Sequence, residues 1–96
     1  MSSCNAIDDA SVCVDYIGSF WATPAMEAAN CDGVGVYKKG VPCPQPSSRG
    51  CNVAQGTINE SIICYYPYGR DPFTGDLITY AAGTCNASGR DYLFNN

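Results

Sequence analysis

The stretch QGTINESIICYYPYGRDPFTGDLITYAAGTCN, Gln55 to Asn86, decides how the chain is read. A β-favouring run that includes Ile62, Ile63, Tyr65 and Tyr66 opens it, and Leu77, Ile78, Thr79 and Tyr80 follow later. Pro67, Gly69, Asp71, Pro72 and Gly75 lie between the two. This pattern predicts two antiparallel strands joined by an ordered loop. The rest of the chain reads as smaller pieces stapled to that hairpin by cysteines.

Working outward, Thr23 to Cys31 carries the clearest helix signal. Thr23 is a capping residue, Pro24 suits the first helical position, and Ala25, Met26, Glu27, Ala28 and Ala29 favour the helix. Asp32-Gly33 ends it. Ser2 to Gly18 fits two readings. Ala6, Ile7, Ala10, Cys13, Val14 and Ile17 fall at helical spacing, while Val12, Val14 and Tyr16 alternate as in a strand; residues 12–17 are expected to be a strand. Val34 to Tyr37 reads as a short strand. Gly40 to Cys51 holds three prolines and reads as an irregular loop, with Cys43 to Cys51 one candidate closure. Gly89 to Phe94 reads as a last strand that buries Tyr92 or Leu93. The expected fold is α+β: a disulfide-stapled antiparallel sheet of about four strands with one short helix, in a single domain over residues 1–96.

Ninety-six residues bury a modest core, so covalent help is expected. Seven cysteines, at 4, 13, 31, 43, 51, 64 and 85, are spread along the chain without a C-x-x-C pair. The chain has no histidine, which disfavours tetrahedral zinc. A disulfide framework in an oxidising compartment is the remaining reading, against a cytosolic protein with incidental thiols. Secretion is therefore expected. Met1-Ser2-Ser3 lacks the charged and apolar segments of a leader, so the chain reads as a mature form. Two sequons, Asn59-Glu60-Ser61 and Asn86-Ala87-Ser88, make Asn59 and Asn86 candidate glycosylation sites.

An odd number of cysteines leaves one outside the intrachain pairs. Cys64 lies in the apolar run Ile62-Ile63-Cys64-Tyr65-Tyr66 and suits a small buried side chain; terminal Cys4 is the rival. Cys4, Cys13, Cys31, Cys43, Cys51 and Cys85 are then expected to form the disulfides. In the expected hairpin Cys64 and Cys85 stand about 20 Å apart, too far to bond.

Missing histidine also removes the usual general base and both the Ser-His-Asp and Cys-His arrangements. Asp8-Asp9 and Asp71 with Asp76 are conceivable carboxylate pairs, and Asp71 with Asp76 conceivable calcium ligands, but Asp8-Asp9 suits a solvated turn or helix start, and Asp71 and Asp76 sit in loop sequence where aspartate serves turns. Asp71-x-Phe73-x-Gly75-Asp76 does not match the EF-hand loop. No catalytic set, cofactor site or metal site is expected. The net charge of −4 and five scattered Lys and Arg argue against nucleic acid and anionic membrane surfaces. No apolar run is long enough to span a bilayer.

Aromatic residues are the best binding candidates. Trp21, Tyr68 and Phe73 fall in or beside loops, where exposed rings rimmed by polar groups mark contact surfaces. The competing reading places them in the core, where a small domain needs its large side chains.

Small size, acidic balance and cysteines spread along the whole chain resemble the small cysteine-rich secreted proteins of fungi, including plant-pathogen effectors. In the last third, Tyr66-Pro67-Tyr68 and Ile78-Thr79-Tyr80, followed by Gly83 and Gly89, are similar to segments of the small fungal guanyl-specific ribonucleases. Those enzymes carry histidine in both places, where Tyr68 and Tyr80 stand here. The second resemblance implies a ribonuclease-like effector that keeps a scaffold without its catalysis. Together they imply a non-enzymatic virulence-type protein whose partner is a host protein or cell-surface component. A toxin or antimicrobial protein and a carbohydrate-binding module are the alternatives. The acidic charge weighs against a membrane-active form of the first.

Overall fold

β2 (Val12–Tyr16) and β5 (Ser61–Tyr65) pair antiparallel at the centre of one sheet. β1 (Ser3–Ala6) and then β3 (Val36–Lys38) extend it beyond β2; β4 (Arg49–Val53) and β6 (Asp91–Leu93) extend it beyond β5. The computed structural model describes residues 1–21, 23–88 and 90–93, and of residues 91–93 the backbone alone. Every neighbouring pair in the order β3-β1-β2-β5-β4-β6 is antiparallel. The α+β class is as expected. The sheet has six strands among the described residues, rather than about four, and it carries more helix.

Registry sorts the side chains onto two faces, because successive residues of a strand point to opposite sides. Tyr37, Cys4, Val14, Ile63 and Cys51 stand in one cross-strand row. That face carries the helices. α2 (Pro24–Cys31) starts where expected: the Thr23 hydroxyl accepts from the Met26 amide, and Pro24 occupies the first turn. At eight residues it is too short to hold itself in water. The Cys4–Cys31 disulfide ties it to β1. The Tyr16 hydroxyl donates to Asn30 Oδ1 at 2.8 Å, and the Tyr37 hydroxyl donates to Glu27 Oε1. Cys4, Tyr16 and Cys31 form the core beneath it, with Val14, Trp21 and Tyr37 packed against them. α3 (Asp76–Ala87) is tied to the same face by Cys51–Cys85.

α3 overturns the expected hairpin. Leu77 to Tyr80 has strand propensity but lies in the first turns of this helix. β-propensity reflects fit to a half-buried pleated surface, and here burial favours another period. Ala81 and Cys85, four residues apart, are the buried positions of the helix, and Cys85 is bonded to β4. Cys64 and Cys85 are indeed not bonded to each other, although the hairpin geometry behind that expectation does not exist.

The second face is built differently. Its rows are Val36, Asn5, Cys13, Cys64 and Gly50, and Lys38, Ser3, Asp15, Ile62 and Asn52. A short helix, α1 (Ile7–Ala10), closes one end. Segment 41–48 lies across this face, tied down by Cys13–Cys43. The Cys43 amide donates to Asp15 Oδ1 at 2.8 Å, Ser3 Oγ to the Val41 carbonyl at 2.6 Å, and the Tyr66 hydroxyl to the Pro44 carbonyl at 2.8 Å. Ile7, Cys13, Cys43, Cys64 and Tyr66 form the second core. The candidate closure Cys43–Cys51 is therefore wrong, since these cysteines join different faces. The irregular segment also ends earlier than expected, because residues 49–53 form β4. β6 supplies a last strand. Gly89, Phe94 and the side chains of Tyr92 and Leu93, on which the expected burial rested, lie outside the described residues.

Candidate binding cleft on the loop face

A cleft of about 700 Å³ opens on the loop face where β1, β3 and α1 meet. Asn5, Val36 and Lys38 line it from the sheet, Asp8 and Asp9 from α1, and Pro44 and Tyr68 from the loops. Tight local packing places these walls. Gly35, also in the lining, lies so close to β1 that a Cβ would stand 2.5 Å from the Asn5 carbonyl oxygen. Gly69, at φ 97°, brings the Tyr68 loop against α1; a Cβ there would sit 2.2 Å from the Ile7 carbonyl oxygen. The Asp71 amide donates to the buried Ser11 hydroxyl at 2.9 Å and fixes the same loop.

The chemistry of the cleft is mixed. Two carboxylates lie on one side and an ammonium on another. Tyr68, 48 % exposed, packs its ring tilted against that of Tyr66, with centroids 5.5 Å apart. Val34 and Val36 beside it are 52 % and 62 % exposed. β3 is the outer strand of the sheet on this side.

Beneath segment 41–48 lies a denser group. The Asp15 carboxylate, Cys43 Sγ and Cys64 Sγ are all buried and lie within 4.8 Å of one another. Burial raises the pKa of Asp15, opposed in smaller part by the Cys43 amide and the N-terminal charge. Burial likewise pushes the Tyr66 hydroxyl well up, and the neighbouring Cys64, Tyr68 and Asp15 add to this. As a metal site the group is poor: Cys43 is a disulfide sulfur, which leaves two ordinary donors where zinc commonly takes four ligands. Six cysteines form Cys4–Cys31, Cys13–Cys43 and Cys51–Cys85; the seventh, Cys64, is a thiol with 0 % exposure.

The three aromatic candidates do not converge. Tyr68 is at the cleft. Phe73 is half-buried against Tyr65, centroids 4.7 Å apart. Trp21 belongs to the helix face, 5.0 Å from Tyr16, and its Nε1–H donates to the Asn59 carbonyl at 3.2 Å. It borders a separate cavity of about 390 Å³ with Pro24, Glu27 and Lys39. Asn59 and Asn86 are both exposed, in the β4–β5 connection and at the end of α3. Thr57 and Asn59 lie in the connection, and Ser61 begins β5 buried. Asp8 and Asp9, expected on a solvated turn or helix start, lie in the first turn of α1. Their distance from Lys38 in the chain hid the cleft, which exists because β3 folds back on β1. Matches to this chain were found among neither protein-family models, curated proteins nor solved structures.

Proposed function

We propose that the chain is a secreted, non-enzymatic interaction protein that engages a host protein or cell-surface component through the loop face. The observation that carries this reading is the cleft itself. It sets a half-exposed tyrosine and two exposed valines beside charges of both signs, the make-up of a contact surface with an apolar centre and polar rim. The lack of histidine supports a binding role over general-base catalysis. Three disulfides support an oxidising, extracellular setting. No helix among the described residues is long and apolar enough to cross a membrane. The carbohydrate-binding alternative loses the platform it needed, because Trp21, Phe73 and Tyr68 face different surroundings.

Immobilised protein exposed to plant extracellular fluid tests the proposal, with retained proteins identified by mass spectrometry. A protein retained by the wild type and by the helix-face variant Met26→Ala, but lost with Tyr68→Ala and Val36→Asp, is the expected result. Retention indifferent to Tyr68 and Val36, or selective retention on insoluble polysaccharide instead, sinks it.

A further inference from the structure

The group beneath segment 41–48 combines a disulfide, a thiol and a carboxylate. Cys13 and Cys64 are direct partners across the β2–β5 ladder. Partners in such a ladder have Cα atoms about 4.5–5.5 Å apart, inside the span a disulfide accepts. Cys13 is instead bonded to Cys43, whose Sγ is within 4.8 Å of Cys64 Sγ. By backbone register Cys13 is thus within disulfide reach of Cys64 as well as bonded to Cys43, all three in one buried core, and the Asp15 carboxylate is within 4.8 Å of the Cys43 and Cys64 sulfurs.

We propose that Cys64 exchanges into the Cys13–Cys43 disulfide, taking Cys13 as its partner and releasing Cys43 together with segment 41–48. The Cys64 thiol gives its proton to the Asp15 carboxylate, and the thiolate attacks Cys13 Sγ. The Cys13–Cys64 bond forms as the Cys13–Cys43 bond breaks. The bonding electron pair leaves on Cys43 Sγ, which takes the proton back from Asp15. One disulfide and one thiol stand on each side of the step, so no external oxidant or reductant is consumed. Burial of Asp15 raises its proton affinity and suits it to the relay.

Release has a consequence for the cleft. Pro44, one of its walls, follows Cys43 directly. After exchange, hydrogen bonds from Ser3, Tyr66 and the Cys43 amide still hold the segment, but no covalent bond does. Exchange therefore loosens a wall of the binding cleft; this consequence rests on the functional reading above, whereas the exchange does not.

Native alkylation followed by acid quench and a non-reducing digest decides the matter. Incubation of the wild type with N-ethylmaleimide is expected to label Cys43, which becomes accessible whenever the segment, no longer covalently tied, opens, while Cys64 stays unlabelled. A Cys13–Cys64 linked peptide should grow in step with the label. Cys64→Ser should keep Cys13–Cys43 and lose the labelling altogether. Label confined to Cys64, a Cys43–Cys64 peptide, or an intact Cys13–Cys43 bond without native label overturns the exchange. The linked peptides are read on the wild type, so the test survives if Cys64→Ser does not fold. Partner binding is not part of the readout, so failure of the cleft as a binding site is scored separately.

Discussion

The two faces of the sheet solve the same covering problem by opposite means. The helix face is roofed by regular elements, with α2 and α3 each held by a disulfide and the core made of Cys4, Tyr16 and Cys31 against Val14, Trp21 and Tyr37. The loop face is roofed by irregular chain over a core that includes buried polar groups. Ser3 and Asp15 find partners there, but Ser47 Oγ and Asn52 Oδ1 are buried with no hydrogen-bond partner among the described residues. Each such group costs about 1–3 kcal/mol. The difference teaches where to look for function: the face that carries the unpartnered buried groups also holds the cleft, the thiol and half-exposed Tyr68.

The largest effects should come from removing one disulfide from each face. Cys4–Cys31 and Cys13–Cys43 close spans of 27 and 30 residues, for which loop-closure entropy gives about 3–4 kcal/mol each. At about 4–8 °C per kcal/mol, either Cys→Ser pair should lower Tm by about 12–30 °C. The faces should nonetheless separate by NMR. Cys4→Ser/Cys31→Ser should release α2, whereas Cys13→Ser/Cys43→Ser should release segment 41–48 and leave α2 docked. Loss of both elements in both variants would show that the faces form one unit.

A smaller effect is expected at Gly69. An alanine there carries a Cβ at φ 97°, 2.2 Å from the Ile7 carbonyl oxygen, so about 1–3 kcal/mol should be lost as the Tyr68 loop lifts. Denaturant titration measures the loss. Gly33→Ala is the matched control, at φ 75° with open space around it, and should cost less. Equal costs would mean that the loop is not pressed against α1.

The smallest effect depends on pH. Burial raises the folded-state pKa of Asp15 above its ordinary value of 3.8. A raised carboxyl pKa contributes stability that is complete below the unfolded value and is lost as pH rises through the folded one. Asp15→Asn keeps an acceptor for the Cys43 amide and removes the charge. Its stability relative to wild type should therefore improve as pH rises from below 3.8 toward neutral. A relative stability that instead falls over that interval would mean that the ionised carboxylate is favoured in place, and would remove the Asp15 contribution to the expected weakness of the loop face at neutral pH.

The helix face was partly legible in sequence. Thr23 and Pro24 mark the start of α2 by chemistry that depends on neighbours alone, and Val12 to Tyr16 shows its alternation. α3 was missed because Ile78-Thr79-Tyr80 carries β-propensity. The competing signal was present: Leu77, Ala81 and Cys85 recur every four residues, with Ile78 and Ala82 beside them. The cleft was not legible. Asp8, Val36, Lys38 and Tyr68 become neighbours through pairings of β1 with β2 and β3 and through the seating of the Gly69 turn on α1, none of which local pattern encodes.

Native-state hydrogen exchange at single-amide resolution tests the unequal faces most directly. The Cys43 and Ser48 amides, bonded to Asp15 and Tyr65, report opening of the loop roof. Amides of the central β2–β5 ladder report opening of the sheet itself. The expected result is a lower opening free energy for the first group, with little dependence on denaturant, while the ladder and the helix face open together near the global value. A single shared opening free energy for both groups, rising and falling together with denaturant, would contradict it.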